Sequence, residues 1–293
     1  MYLIPVETPQ DFLLAQQFII PHEQTCIFLS SYLRRGSKHL FLLSNNETPE
    51  KIEQLQGVIY IDGTLFHCIP YPSRLDATEF AAKLLSLCGL QNNSKNTIFQ
   101  DNTKIKCISG ETQTTDFLIN LLSDHLGAPY QTNHYKLMTA KQIVNPPEKL
   151  CNDDQIICCT ENELEDLLAI QKKYVTEEVA PFGKEVSDTE ISMGLRQILK
   201  NQICLALSTD GELVAKANTN AIGMNWVQLG GIYTHPLYRR NGYAWQLISA
   251  ICRRTVKAGK NAALFVKDIN VPAMELYKKL GFSNSGHYTI AYY

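Results

Sequence analysis

The two halves of the chain repeat one order of predicted secondary structure, and this repeat constrains the fold more than any single motif. Hydrophobic periodicity and turn residues predict the order β-α-α-β-β-β-α-β-α-β over residues 2–137, and the same order over residues 155–292. The halves share no evident sequence identity, so the repeat is one of pattern. Because Pro146 and Pro147 continue neither a strand nor a helix, we expect two domains, 1–145 and 152–293.

Composition allows two packed domains and excludes several classes of protein. The chain has 293 residues, 45% hydrophobic and 19% charged, so each half can form a core. A protein that binds nucleic acid usually carries an excess of basic residues, so the net charge of −2 argues against a nucleic-acid partner. The nine cysteines form no C-x-x-C pair, so we expect no metal site. Without a signal peptide or an apolar run that could span a bilayer, we expect a cytoplasmic protein with no membrane partner.

The segment 230–244 has the pattern of an anion-binding junction between a strand and a helix. A predicted strand ends at Thr234, and a basic loop then leads through Gly242 into an amphipathic helix. The first backbone N–H groups of such a helix have no internal partner, and the helix dipole adds positive charge there. Gly242 has no Cβ in the way of a ligand, and Ala244 is small. The pattern predicts a pyrophosphate site, and the alternative is a basic loop that only caps the helix.

A second motif surrounds a short helix at residues 270–280. Asn270 is a typical N-cap, Pro272 fits the first turn, and Gly281 fits the position after the helix. Ala273 and Tyr277 are four residues apart and therefore share a face. That face could accommodate a thin ligand, to which the tyrosine hydroxyl could donate a proton. The alternative is a tyrosine at the edge of the core.

Together the two motifs resemble the GCN5-related N-acetyltransferase (GNAT) family over about residues 155–293. Arg239-x-x-Gly242-x-Ala244 resembles its pyrophosphate loop, and Asn270, Ala273, Tyr277, Gly281 and Phe282 resemble its second cofactor motif. The run Gly230–Thr234 resembles its splayed fourth strand. The resemblance implies an α/β fold of the α+β type, in which helices flank a mixed, mostly antiparallel twisted sheet with a splayed central pair of strands. It also implies acetyl-CoA as co-substrate. The cofactor-binding residues that it implies are Ile232, Tyr233, Thr234, Arg239, Arg240, Asn241, Gly242, Tyr243, Ala244, Asn270, Ala273 and Tyr277.

The first half resembles the family in the order of its elements only. Its corresponding loop runs from Tyr71 to Ala77 and contains no glycine. We therefore expect tandem GNAT-like lobes, of which the first is degenerate and holds no cofactor.

The activity that the resemblance implies is acetyl transfer from acetyl-CoA to a primary amine, which we expect to belong to a small molecule. The amine attacks directly in a ternary complex, the backbone N–H near Ile232 stabilises the oxyanion, and Tyr277 acts as the general acid. The general base stays open, because Gln228 lies where the family often has a glutamate. The alternatives for it are Glu177, Glu178, Glu185, His235 or a chain of waters. The alternative function is a non-catalytic acyl-CoA-binding or regulatory module.

Charge is distributed unevenly along the second half. Residues 239–279 contain nine Lys or Arg and two Asp or Glu, whereas residues 151–238 contain six Lys or Arg and thirteen Asp or Glu. The basic part coincides with the expected site for the phosphates of coenzyme A, and the acidic part could attract a cationic amine. The alternative is that these charges only solvate helix faces.

Overall fold

A computed structural model describes residues 1–88, 105–145, 156–180 and 185–293. The strands are β1 (Tyr2–Pro5), β2 (Leu40–Ser44), β3 (Leu55–Asp62), β4 (Thr64–Cys68), β5 (Cys107–Glu111), β6 (Gln131–Ala140), β7 (Ile156–Cys159), β8 (Cys204–Thr209), β9 (Glu212–Ile222), β10 (Trp226–Thr234), β11 (Asn261–Lys267) and β12 (Ser283–Tyr292). The helices are α1 (Pro9–Ile19), α2 (Ile27–Arg34), α3 (Ala77–Leu87), α4 (Thr112–Leu126), α5 (Leu164–Tyr174), α6 (Asp188–Asn201), α7 (Tyr243–Lys257) and α8 (Val271–Lys279). The expected order of elements is confirmed in both halves.

The chain forms two compact units that differ from the expected domains at both ends of the second half. The first unit contains Met1–Lys136 and Gly286–Tyr293, and the second contains Leu137–Ser285. The second part of β6 therefore belongs to the second unit, and most of β12 belongs to the first. The expected boundary at Pro146-Pro147 and the expected start at residue 152 lie outside the described residues. The bounds 1–145 and 152–293 stay a prediction about the domains.

In the first unit the strand order is β1-β2-β3-β4-β5-β12, followed by residues 131–136 of β6. β4 and β5 pair in parallel over Thr64–Phe66, while β12 pairs with β5 antiparallel. The core of this unit packs strand residues such as Phe41 and Ile59 against Phe80 of α3 and Leu118 of α4. Burial of these apolar side chains is the main force that holds the helices on the sheet.

In the second unit residues 137–140 of β6 begin the order, followed by β11-β10-β9-β8-β7. β10 and β11 are parallel, and their pairing extends from Trp226 to Leu229 of β10. β10 continues to Thr234, where it pairs with β9 across two register shifts. The central strands of this described sheet are therefore splayed beyond Leu229, as expected. The second shift, between Gly230 and Tyr233, contains Gly231, whose φ of +57° favours glycine.

Helices cover both faces of the second sheet. The α7 face packs Leu247 and Ile251 against Val227 and Leu229 of β10. The opposite face packs α5 and α6 against β8, with Leu167 and Leu195 fully buried there. None of the helices in the described ranges has the length and hydrophobicity that a membrane span requires.

Two helical segments differ from the prediction. The expected helix 22–34 begins as a 3-10 helix, Ile20–Thr25, and α2 begins at Ile27. Pro21 at its start lacks an N–H group, which limits the helical bonding there. After α5 the chain continues as a π-helix, Val175–Val179, that the periodicity did not indicate. π-Helical turns are rare and often occur at functional sites.

Candidate functional site

The loop between β10 and α7 has the backbone expected of an anion site. Arg240 and Gly242 both have left-handed backbones, with φ of +71° and +77°. Gly242 is the N-cap of α7, and among the described residues no side chain caps this helix. The N–H groups of its first turn are therefore available to an external acceptor, and the helix dipole favours a negative one. This geometry fits the diphosphate of coenzyme A.

The corresponding helix of the first unit has a different N-terminus. The Asp76 carboxylate caps α3 by accepting a hydrogen bond from the Glu79 N–H at 2.9 Å. An ionised carboxylate at this position competes with a phosphate for the same N–H groups and repels it.

His67 fills the space beside β5 in the first unit. Its buried Nε2 lies 2.9 Å from Thr115 Oγ1, and a Cβ on Gly110 would overlap its ring. Burial lowers the pKa of His67 to about 3, so the ring is neutral at physiological pH. A bulky side chain therefore lies where the parallel pairing of β4 and β5 ends.

Five of the expected site residues contact one hydrophobic core in the second unit. Tyr277 is buried in that core, and the partly buried Ile232, Tyr243, Ala244 and Ala273 pack against it. The structure therefore brings the bulge of β10, the start of α7 and the second motif of α8 to one cluster. The expected residues 239–241 lie apart from it, in an exposed loop.

Arg239 of that loop is held by groups of the protein. Its Nε donates to the Thr234 carbonyl at 3.1 Å, and its Nη2 lies 3.1 Å from Glu177 Oε2. The other oxygen of Glu177 accepts a hydrogen bond of 2.7 Å from the Tyr233 hydroxyl. Burial and this hydrogen bond raise the pKa of Tyr233 to about 12. Glu177, one of the candidate bases, is therefore engaged by a phenol and a guanidinium group.

The other candidate bases have different surroundings, and only Glu178 acts on Tyr277 electrostatically. Glu178 contributes its backbone carbonyl, which accepts a hydrogen bond of 2.7 Å from Lys267 Nζ. Glu185 is exposed. His235 faces the loop, where its Nε2 lies 2.6 Å from Lys173 Nζ and its Nδ1 accepts from the Leu237 N–H.

Helix α8 begins and ends as expected from its sequence. Asn270 Oδ1 accepts a hydrogen bond of 3.2 Å from the Ala273 N–H, and Gly281 after the helix has a φ of +96°. Tyr277 is 6% exposed, and burial raises the pKa of its phenol well above the usual value. The nearby groups Tyr174 and Glu178 add to this rise. The phenol therefore keeps its proton at physiological pH, as an acid must before the reaction.

We expect Asn270→Ala to destabilise the second unit by about 1 kcal/mol, because the Ala273 N–H loses its cap. Chemical denaturation followed by circular dichroism would measure the change. Asn270→Asp is the matched control, since its carboxylate can still accept this bond and should keep most of the stability. Equal stability of the alanine variant and the wild type would contradict the capping role.

Gln228 lies on β10, near the position where the resemblance to the family implies a glutamate. Its side chain is 2% exposed, and its Oε1 has no hydrogen-bond partner among the described residues. An amide cannot accept a proton at physiological pH, so this residue can orient a polar group but cannot act as a base.

Sequence reasoning missed a buried lysine beside the bulge. Lys216 of β9 is fully buried, and its Nζ donates to the Gly231 carbonyl at 2.9 Å and to Asn218 Oδ1 at 3.0 Å. The same Nζ lies 4.8 Å from the centre of the Tyr174 ring. The signal in the sequence was a lysine within an otherwise small and apolar strand, Leu213–Ala217.

Comparison with known proteins agrees with this fold. The model of the acetyltransferase (GNAT) family matches residues 167–282. None of the curated proteins searched matches the sequence. A Drosophila protein of known structure is 13% identical and covers 99% of this chain and 98% of its own, with a TM-score of 0.62. A GNAT-family acetyltransferase from Colwellia psychrerythraea is 12% identical, covers 100% of this chain and 99% of its own, and has a TM-score of 0.51.

A smaller relative matches part of the chain. A predicted acetyltransferase from Clostridium acetobutylicum, solved with acetyl-CoA, is 18% identical, covers 44% of this chain and 90% of its own, and has a TM-score of 0.38. The two full-length likenesses show that the fold of the whole chain, with both halves, occurs in other proteins. The segment that the family model matches contains the splayed strands and the helix that begins after Gly242. Residues 167–282 belong to the acetyltransferase (GNAT) family.

Proposed function

We propose that this protein is an N-acetyltransferase that transfers an acetyl group from acetyl-CoA to a primary amine of a small molecule. The observation that carries the proposal is the uncapped N-terminus of α7 behind Gly242, beside strands that are splayed beyond Leu229. Membership of residues 167–282 in the GNAT family supports acetyl transfer as the reaction.

The donor would bind at the junction of β10 and α7. Acetyl-CoA supplies an acetyl group activated as a thioester. The N–H groups of Tyr243 and Ala244 at the start of α7 would bind its diphosphate, and Arg239 and Arg240 would add positive charge. Asn270 and Ala273 of α8 would line the other side of the ligand. The Ile232 N–H would donate to the thioester oxygen, on which negative charge develops during attack.

The acceptor amine must lose a proton before it attacks, because a lysine-like amine has a pKa of about 10. Its nitrogen forms a bond to the thioester carbon while the bond from that carbon to sulfur breaks. The products are an amide and the thiol of coenzyme A, and Tyr277 would donate the proton that the sulfur takes up. Glu177 is engaged by Tyr233 and Arg239, and Gln228 cannot accept a proton, so we assign the amine's proton to water.

The first unit would bind no acetyl-CoA. Asp76 caps the helix that corresponds to α7, and His67 fills the space beside β5. We therefore expect one molecule of acetyl-CoA per chain in a calorimetric titration. A stoichiometry of two would contradict the proposal for the first unit and leave the second unit unaffected.

The experiment that tests the function combines binding with turnover. Isothermal calorimetry with acetyl-CoA measures the donor site, and detection of free thiol measures transfer to a panel of diamines, amino sugars and amino acids. Thiol release that depends on one of these amines, together with the acetylated product in a mass spectrum, is the expected result. Absence of acetyl-CoA binding would overturn the proposal.

The second candidate is a non-catalytic acyl-CoA-binding or regulatory module, and Gln228 is the observation that favours it. A buried amide where a carboxylate is usual would permit binding without an efficient base. Binding of acetyl-CoA without turnover of any amine, and without slow hydrolysis, would support this module over the enzyme.

A further inference from the structure

A row of buried polar side chains lies beneath the bulge of β10. Lys216, Asn218 and Asn220 are two residues apart along β9 and therefore share a face of the sheet. A Cβ on Gly230 would overlap Asn220, and a Cβ on Gly231 would come 1.7 Å from Asn218 Oδ1 and 2.8 Å from Lys216 Nζ. The backbone of the bulge therefore rests directly on this row.

The charge of Lys216 is costly at this position. The side chain is fully buried, and the charged groups that act on it are the cysteines Cys204 and Cys159 rather than a carboxylate. A buried charge without a carboxylate partner destabilises a fold unless hydrogen bonds compensate for the lost water. Here the compensation comes from Asn218, from the Gly231 carbonyl and from the face of the Tyr174 ring. An apolar residue would pack there at lower cost, so the ammonium group calls for a functional explanation.

The carbonyl that Lys216 binds belongs to the same peptide unit as the Ile232 N–H. A peptide group is planar and trans, so its C=O and its N–H point in opposite directions. A cation on the oxygen fixes the plane and polarises the group, which makes the N–H a stronger donor. Ile232 lies in the bulge, outside the registered pairs of β10 with β9 and β11.

We propose that Lys216 is a positioning residue for acetyl transfer, whose ammonium group orients and polarises the Gly231–Ile232 peptide so that the Ile232 N–H stabilises the thioester oxygen as negative charge develops. The proposal rests on the proposed function, because it requires acetyl-CoA at this bulge. It goes beyond that function by assigning a role to a buried side chain that touches neither substrate.

The charge state of Lys216 should therefore control turnover. Burial lowers the pKa of Lys216 to about 8, while the negative charge of the Cys204 and Cys159 thiolates acts to raise it. The other groups around its Nζ are Asn218 of the same strand, Tyr174 of α5 and, opposite in register, Tyr233 of β10. The ammonium form is present below that pKa and is lost above it. Turnover of an already neutral acceptor should therefore fall as the pH rises through about 8.

The first test compares Lys216→Met with the wild type and with Lys216→Arg, which keeps the cation. We expect Lys216→Met to lower kcat by about 10- to 100-fold, which is less than the loss expected when an oxyanion donor is removed altogether. The Kd of coenzyme A should change by less than about threefold. Infrared spectra of bound acetyl-CoA labelled at the carbonyl should show a higher stretching frequency in Lys216→Met. Because Lys216→Arg keeps the cation, its kcat and its carbonyl frequency should both lie between those of Lys216→Met and the wild type. A purely structural role would alter the melting temperature without moving the carbonyl band.

The second test uses the unmodified protein, so that it stands even when Lys216→Met fails to fold. The carbonyl band of bound acetyl-CoA should shift to higher frequency as the pH rises through about 8. Cys204→Ser controls for the neighbouring thiol and should keep this transition, displaced to lower pH because the thiolate no longer favours the ammonium form.

Three results would overturn the inference. One is a Lys216→Met variant with wild-type kcat and band position, and another is a wild-type band that does not change with pH. The third is an increase in turnover of the neutral acceptor as the pH rises through 8 in the wild type, with no such increase in Lys216→Met. That result would make the lysine a general base. Failure of the wild type to bind acetyl-CoA would instead overturn the proposed function, and this inference with it.

Discussion

Gly242→Val should abolish acetyl-CoA binding. Residue 242 has a φ of +77°, which a β-branched side chain rarely adopts, and it is the N-cap of the helix that we assign to the diphosphate. The new Cβ would strain the loop by about 1–3 kcal/mol and would block approach of an anion to the N–H groups behind it. Isothermal calorimetry with acetyl-CoA measures the loss directly.

Gly259→Val is the matched control for this change. Gly259 follows the other end of α7, has a φ of +72°, and has no atom within 4 Å of an added Cβ. It therefore suffers similar backbone strain and should lose similar stability, yet it should bind acetyl-CoA as the wild type does. Normal binding by Gly242→Val would contradict the assignment of the loop, whereas equal loss in both variants would attribute the effect to unfolding.

Tyr277→Phe should lower kcat by about 10²- to 10⁴-fold, the usual contribution of a general acid. Phenylalanine fits the same buried position, so the Kd of acetyl-CoA should stay close to that of the wild type. The departing sulfur would then take its proton from water. Steady-state kinetics at saturating amine, together with calorimetry, separate the two quantities.

Tyr288→Phe controls for loss of a buried phenol. Tyr288 lies in the first unit, where its hydroxyl is 2.9 Å from Ser109 Oγ, and burial raises its pKa above the usual value as it does for Tyr277. Its variant should lose stability without losing turnover. Unchanged kcat in Tyr277→Phe would remove Tyr277 from the role of acid.

Features set by neighbouring residues could be predicted from the sequence. Asp210-Gly211 indicated a hairpin, and both residues have left-handed backbones between β8 and β9. Asn270 and Gly281 indicated the ends of α8, and Gly242 indicated the start of α7. In each case the constraint comes from one or two residues whose own geometry decides the local structure.

Features set by distant contacts could not be predicted in this way. Polar residues at positions 216, 218 and 220 alternate with the smaller Ala217, Thr219 and Ala221, a pattern typical of a strand with one face in water. Tyr174 of α5 lies over Lys216, so that face is buried instead. The contacts of Glu177 depend likewise on the π-helix that follows α5. The same limit applies to β6 and β12, because the sequence of a strand does not specify the sheet that it joins.

Residues Gly286–Tyr293 complete the first unit by pairing with β5. During translation most of that unit leaves the ribosome early, but its sheet cannot close until these residues follow. Until then β5 has an unpaired edge, and unpaired edges promote association between nascent chains. The sheet of the first unit is therefore complete only after the second half of the chain has been synthesised. Expression of residues 1–145 alone would leave this edge of β5 unpaired.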